Sequence, residues 1–363
     1  MSKPGCVWTP NADVDLNGSV DFYGTFIAKN FNLTGSSRIL YTLIDRPEPI
    51  IPTPNTEIPE PPTFELPTAF LIAAVDNGGY NPRGVYTSMD GETWTKRPNG
   101  QYEMYGPRSV TGSDSMYIVA GLDGYGKFGS SPDGITWTPA DPGYSNIYSV
   151  RWLNGRFVAV GQVGDGGISV STNGTSWERK STYGSGRLRD VAWGDGLYIA
   201  IGAKDSNGIY WSETGAVDNW SYRNNNQEIN GITYGNGLFV AVGPKKIQTI
   251  TKTGFKNNSS WTDRSPNGNY TLNRVAWNGS LFVAVGDSGA IYTSPDATTW
   301  TKRTSPTSAK LNDVQWVPSI HYFYAAGNQI VLKSPDGANW TAMQPKNPDG
   351  SAIESDFKSI FGR

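Results

Sequence analysis

The sequence predicts an all-β chain that ends in a seven-bladed β-propeller, and three markers that recur with one period predict it. The first is a tryptophan: Trp94, Trp137, Trp177, Trp220, Trp261, Trp300 and Trp340 are separated by 43, 40, 43, 41, 39 and 40 residues. The second is an apolar strand closed by glycine, reading YIVAG, FVAVG, YIAIG, FVAVG, FVAVG and FYAAG, with Gly121, Gly161, Gly202, Gly243, Gly286 and Gly327 at its end. The first copy, FLIAAVDNGG, carries Asp76 in the place of that glycine. The third marker precedes the second: IYSVRW, LRDVAW, INGITY, LNRVAW and LNDVQW begin at residues 147, 188, 229, 272 and 311. A fixed period of about 41 residues is the signature of stacked supersecondary units.

Each unit holds about four short strands, and a sheet of that size cannot bury both faces alone. The runs Leu238 to Val242 and Leu281 to Val285 are unbroken apolar rather than alternating, as expected of strands covered on both faces by neighbouring blades. Radial stacking leaves only short edges exposed, whereas a linear β-solenoid uses shorter rungs and needs no closing strand. A closing strand is present. The first copy begins at its second strand, because a proline-rich stretch lies where its first strand belongs. At the other end, Asp356 to Gly362 aligns with the third marker, Ile360 falling in register with Val150, Val191, Ile232, Val275 and Val314. This strand is expected to pair with Phe70 to Val75 and close the ring, removing two open edges.

Composition agrees: 43 Gly, 24 Pro, 13 Trp and 19 Tyr with 17% charged residues suit short strands and tight turns. Thirty basic against 32 acidic residues give a net charge of −2 with no basic block, which argues against nucleic acid or an anionic membrane as partner. Cys6 is the only cysteine, so the chain has no internal disulfide and no CxxC metal or redox site. The opening MSKPGCVWTP lacks a secretory pattern and no stretch approaches 18 apolar residues, so the expectation is a chain made and left in a cytosol, without membrane insertion.

Three parts are expected: a small N-terminal β segment over 1–46, a linker over 47–67, and the propeller over 68–363. The linker PEPIIPTPNTEIPEPPTFELP holds eight prolines and reads as a semi-rigid spacer of ~3 Å per residue where it is polyproline II.

Before each marker tryptophan stands a short turn: SMDGETW at 88, SPDGITW at 131, STNGTSW at 171, SPDATTW at 294 and SPDGANW at 334, with stretched copies SETGAVDNW and TKTGFKNNSSW. Asp or Asn bonds the backbone two residues on, Gly takes positive φ, and Pro presets the bend. These turns resemble the Asp-box of the bacterial neuraminidase repeat, found in sialidases, related glycosidases and many non-enzymatic propellers. The family pattern has one more residue between Asp and Gly. The resemblance implies a propeller with the boxes on the face away from any active site. In residues 1–46, Gly18 with Phe22-Tyr23-Gly24, then Ile27 to Asn30, then Gly35 with Ile39 and Tyr41 resemble the β-helix-like segment of pilus-associated and anchored surface proteins. That likeness implies attachment of the N-terminal piece to a larger assembly.

Candidate chemistry is sparse. Asp13, Asp15, Asn17, Gly18, Val20 and Asp21 match a calcium loop in part, but Gly24 stands where a bidentate carboxylate belongs, so strand and turn is the preferred reading. His321 is the only histidine and no nucleophile is assigned to it. A sialidase-like glycosidase would need an arginine triad with a Tyr and Glu pair and an Asp. Arg151, Arg189 and Arg274 lie in first strands at unequal repeat positions. No enzymatic activity, cofactor or metal is expected.

Binding is the default reading. The loops between second and third strands and the connections between blades share the face opposite the turns, and those of the first blades are the longest and richest in aromatics. Tyr80, Arg83, Tyr102, Tyr105, Tyr125 and Tyr144 are the candidate contact residues, with Arg108 beside them. The expected role is a non-enzymatic virion component of a bacteriophage (tail, fibre or decoration protein), made in the host cytoplasm. Its partners would be a cell-surface glycan or protein, or another virion protein. An extracellular or cell-surface glycosidase and a propeller scaffold or assembly factor are the alternatives.

Overall fold

The computed structural model describes residues 83–98, 106–121, 128–140, 146–162, 167–180, 187–202, 208–224 and 227–363, the strand Leu71–Asp76, and the backbone of five strands within 3–40. Two compact units are present, Met1–Phe64 and Glu65–Arg363.

In the N-terminal unit the strands pair in parallel: Val7–Asn17 with Phe26–Thr34, and Asp21–Tyr23 between Lys3–Pro4 and Arg38–Leu40. Of the partial calcium pattern, Asp13, Asp15 and Asn17 belong to the strand Val7–Asn17 and Asp21 opens the strand Asp21–Tyr23. Gly18 and Val20 lie outside the described residues.

The second unit is an all-β propeller of seven four-stranded antiparallel blades. The first strands of blades two to seven are Pro107–Gly112, Ile147–Leu153, Leu188–Gly194, Gly231–Gly235, Leu272–Trp277 and Leu311–Val317, and each is followed by three more in sequence order. Blade one takes its first strand from the other end: Asp356–Gly362 pairs antiparallel with Leu71–Asp76, setting Ile360 opposite Ala73 and Phe357 opposite Val75. Each first strand packs on the first strand of the next blade, and the last such contact joins Asp356–Gly362 to Pro107–Gly112, so the ring is closed.

The second strands supply the core. Phe157, Phe239, Phe282 and Phe323 are wholly buried, as is the aliphatic run that follows each of them. Their closing glycines have a steric cause: a Cβ on Gly121, Gly161, Gly202 or Gly286 would come within 1.9–2.3 Å of the carbonyl oxygen of Gly106, Asn146, Arg187 or Thr271. Those carbonyls precede the first strand of the same blade, which crosses the second strand too closely for any side chain.

The turns before the tryptophans share one bonding scheme. In blade two, Ser131 Oγ donates to Asp133 at 2.9 Å and accepts from Gly134 N at 2.8 Å. Asp133 Oδ1 accepts from Ile135 N and Thr136 N at 2.8 and 2.7 Å. Trp137 Nε1 donates back to the Gly134 carbonyl at 3.0 Å. Every letter of the signature except Pro132 thus has a partner, and Gly134 sits at φ +73°, where glycine carries no steric cost. Asn173 makes the same two backbone contacts as an amide. In blade four the turn opens into a 3-10 turn at Val217–Asn219, and in blade five Thr251 caps a short helix, Lys252–Lys256.

Two predictions follow from this architecture. A chain ending at Asp356 exposes two blade edges and removes Phe357 and Ile360 from the core, so calorimetry should show it less stable by about 3–5 kcal/mol, the scale of a large core deletion. Acid should act at the turns. Backbone N–H donors, that of Thr136 on Asp133 and that of Asn339 on Asp336 foremost, hold these carboxyls down at about 2, against 3.8 in the free residue. Depressed carboxyl values stabilise the fold above the unfolded value and lose that contribution as pH falls through the folded one. The melting temperature should therefore drop between about pH 4 and pH 2. A Asp133→Asn, Asp336→Asn double variant, imitating Asn173, should drop less across that window.

Candidate functional site

The seven first strands line a central channel, and equivalent positions of the repeat form rings around it. The middle ring is Ser109, Ser149, Asp190, Gly231, Arg274, Asp313 and Ser359, the residues just before Val110, Val150, Val191, Ile232, Val275, Val314 and Ile360. Ring members reach across to the next blade's backbone. Val150 N donates to Ser109 Oγ at 3.1 Å, Ile232 N to Asp190 Oδ2 at 3.1 Å, Ile360 N to Asp313 Oδ2 at 3.2 Å, and Val110 N to Ser359 Oγ at 3.3 Å.

Charge enters this ring in two blades as aspartate and in one as arginine. Asp190, fully buried, accepts from Ser149 Oγ at 2.9 Å and from Arg151 Nε at 3.2 Å. Arg274 lies 3.7 Å from Asp190 and 3.8 Å from Asp313, and donates to the Asn230 carbonyl at 2.7 Å. Blade five carries Gly231 at this position, where a Cβ would meet the Asn273 carbonyl at 2.8 Å and Arg274 Cα at 3.0 Å. Burial would push the Asp190 carboxyl up, but Arg151 and Arg274 outweigh it and hold it below the usual range. The channel waist is thus filled by an internally balanced network.

One residue earlier lies the mouth on the face of the loops between second and third strands. In six of the seven blades the register between first and second strands shifts at this residue, a β-bulge that takes it out of the ladder. Arg108, Tyr148, Arg189, Asn230, Asn273, Asn312 and Lys358 line a cavity of about 170 Å³ there, with Arg274 at its floor. The mouth has two halves. In blades five to seven, Asn230, Asn273 and Asn312 donate to the Leu272, Leu311 and Phe357 carbonyls of the following blade at 2.8–3.0 Å, spending their amides on closure. Blades one to four present Lys358, Arg108, Tyr148 and Arg189. Arg189 pairs with Glu228 at 3.0 Å and Lys358 with Asp356 at 2.8 Å. Arg108 Nε has no hydrogen-bond partner among the described residues.

The opposite mouth lies on the face of the turns, since the first and third strands of an antiparallel blade end on one side. Trp152, Trp193, Tyr234, Trp277 and Trp316 stand there, three residues past the middle ring, in a cavity of about 500 Å³.

Of the residues singled out from sequence, Arg83 lies half-buried just before Gly84–Ser88, and Tyr80, Tyr102, Tyr105, Tyr125 and Tyr144 lie outside the described residues. The described strand ends that flank those tyrosines are on the loop face. Arg151, Arg189 and Arg274 do occupy unequal repeat positions, and the first and last converge on Asp190 instead of facing a common substrate. His321 is exposed, in the hairpin at φ +56°, edge-on to Trp316 at 6.0 Å. Tyr148, Lys358 and the asparagines were missed because nothing in the repeat pattern marks a bulge. Among the described residues no three of His, Cys, Asp and Glu are grouped to hold a metal ion, and no helix is long and apolar enough to cross a membrane.

Residues 205–347 match the DUF6242 beta propeller domain. This span covers blades four in part to seven, less than half of the chain. No curated protein sequence matches. Among solved structures, YCF48 bound to D1 peptide is 17% identical with a TM-score of 0.51, covering 72% of this chain and 89% of that one. YCF48 from Cyanidioschyzon merolae is 15% identical with a TM-score of 0.50, covering 69% and 87%. A chain of the mitotic checkpoint complex is 13% identical with a TM-score of 0.52, covering 72% and 90%. At these identities the likeness is one of fold: a β-propeller, which fixes no activity.

Asp190 tests the waist directly. Asp190→Ala leaves Arg151 and Arg274 buried beside a lost carboxylate and frees Ile232 N, a class of change that costs about 3–5 kcal/mol. Denaturant unfolding should show a loss of that size, and a loss under about 1 kcal/mol would mean that the network does not hold the blades together.

Proposed function

We propose that the propeller is a non-catalytic recognition module whose loop-face mouth takes a protein partner through an acidic segment. One observation carries the reading: the bulged first strands of blades one to four set Lys358, Arg108, Tyr148 and Arg189 around one cavity. Donors placed on rigid strands lose little entropy on binding, and arginine matches carboxylate in a planar fork. The neighbouring loops that carry Tyr80, Tyr102, Tyr105, Tyr125 and Tyr144 would extend the contact. A propeller of the same fold was solved with a peptide bound, which supports a protein partner for this one.

The resemblance of the turns to the Asp-box repeat belongs to the same reading, since that repeat occurs in many non-enzymatic propellers. The setting we assign is a virion. The N-terminal β segment would attach to the particle, residues 47–67 would act as spacer, and the propeller would present its loop face to a host-surface protein or a neighbouring virion protein. The order of the three parts supports this.

Fluorescence anisotropy of the full chain with an octaglutamate peptide, against octalysine, tests the site. Arg108→Glu and Lys358→Glu should each weaken octaglutamate binding by ~1–2 kcal/mol. Glu92→Ala and Ile135→Ala, on the turn face, should leave it unchanged. Equal effects from both pairs would refute the face assignment. Immunogold electron microscopy of native particles tests the setting.

A further inference from the structure

We propose that the turn-face mouth is a second binding site, for a neutral oligosaccharide, independent of the loop-face site. The cavity of about 500 Å³ is bounded by the ends of all seven first strands and falls within the ~300–1,000 Å³ span of small-molecule sites. Its wall holds a collar of five aromatic side chains, one from each of blades three to seven, with Phe361 of blade one beside them.

Each ring packs against a core cluster on one side and lines the cavity on the other. Each stands directly opposite a second-strand aromatic in its own hairpin: Trp152 by Phe157, Trp193 by Tyr198, Tyr234 by Phe239, Trp277 by Phe282 and Trp316 by Phe323. Centroids lie 4.1–6.3 Å apart. The second-strand member is wholly buried and fills the space between blades, while the collar member stays half-buried and lines the cavity. At least two collar rings are also fixed in place by the preceding blade. A Cβ on Gly194 would fall 1.9 Å from Tyr234 Cγ, and one on Gly235 would fall 2.5 Å from Trp277 Cγ. The rings are therefore held before any ligand arrives.

Below the collar, alternate positions of the first strands contribute Thr111, Arg151, Thr233 and Gln315 to the lining. Among the described residues no aspartate or glutamate lines the cavity. The Arg151 charge is already balanced by Asp190, and at the rim Arg363 lies over the Tyr117 ring at 4.6 Å and donates to the Ser113 carbonyl. Flat apolar walls with hydroxyl, amide and N–H groups beneath them match a sugar ring, which has C–H faces and a rim of hydroxyls. An apolar peptide side chain would bury those polar groups unpaired. A nucleic-acid strand needs a cationic groove along its phosphates, which this cavity does not offer.

Titration of the full chain with maltotriose, cellotriose and triacetylchitotriose, read by tryptophan fluorescence and calorimetry, tests the proposal, with 3′-sialyllactose as the acidic comparison. At least one neutral trisaccharide should bind saturably, and Trp193→Ala and Trp277→Ala should weaken it at least tenfold. Gln315→Ala, which removes a polar group from the cavity but no collar ring, should weaken it severalfold at an unchanged melting temperature and guards against a folding defect. Arg108→Glu with Lys358→Glu should leave sugar binding intact, which keeps this site's failure distinct from failure of the loop-face reading. No neutral sugar binding at millimolar concentration, tighter binding of 3′-sialyllactose, or full binding by both tryptophan variants would overturn the proposal.

Discussion

A first strand in a propeller blade has one edge with no strand beside it, and the backbone donors on that edge need partners. Here the partners are side chains of the preceding blade. Ser109, Asp190, Asp313 and Ser359 accept from the amides of Val150, Ile232, Ile360 and Val110, and Thr111 Oγ1 takes Trp152 N at 3.1 Å. Buried amides left unpaired are costly, so this need favours short oxygen-bearing side chains at that position, and Ser109, Asp190, Asp313 and Ser359 meet it in four of the seven blades. It also fixes the height of each blade against the next. Once the waist is set, the rings above and below it are set as well.

The same constraint explains the bulge and the glycine. Turning the middle-ring side chain toward the next blade shifts the first strand by one residue against the second, and the displaced carbonyl occupies the place of a Cβ on Gly161 or Gly202. The extra residue leaves the ladder and stands at the loop-face mouth. The bulge, present in six of the seven blades, thereby takes a residue of each out of the ladder and leaves its side chain free of the sheet. Blades five to seven return theirs to structure as asparagines bonded across the blade boundary, and blades one to four keep theirs as long polar side chains.

Much of the fold was legible because its causes are local or strictly periodic. The turn signature reports bonds within seven residues, and the closing strand could be placed because Ile360 falls in register with Val150 and its equivalents. The sites were less legible. The tryptophans of SVRW, DVAW and RVAW were visible as repeat markers, yet nothing in one strand tells whether a ring faces a neighbouring blade or an open channel. Arg151 and Arg274 stood out only as first-strand arginines at unequal repeat positions; their partner Asp190 lies in another repeat, and only the closed ring brings the three together. Tyr148 and Lys358 depend on a bulge, which follows from packing between blades and leaves no mark in the residue itself.

Two mouths of opposite character come from one strand because side chains along it alternate and because the waist is blocked. Residues before the bulge point to one end, and those three past the middle ring to the other. Between them the Arg151, Asp190, Arg274 and Asp313 network fills the channel with charge that is already balanced. A solute at either end therefore meets paired charges at the waist. Substitutions on one ring can change one mouth without altering the amide pairing that the opposite mouth shares. That separation lets a repeat protein hold a cationic face and an aromatic face on the same seven strands, each set by its own column of the repeat.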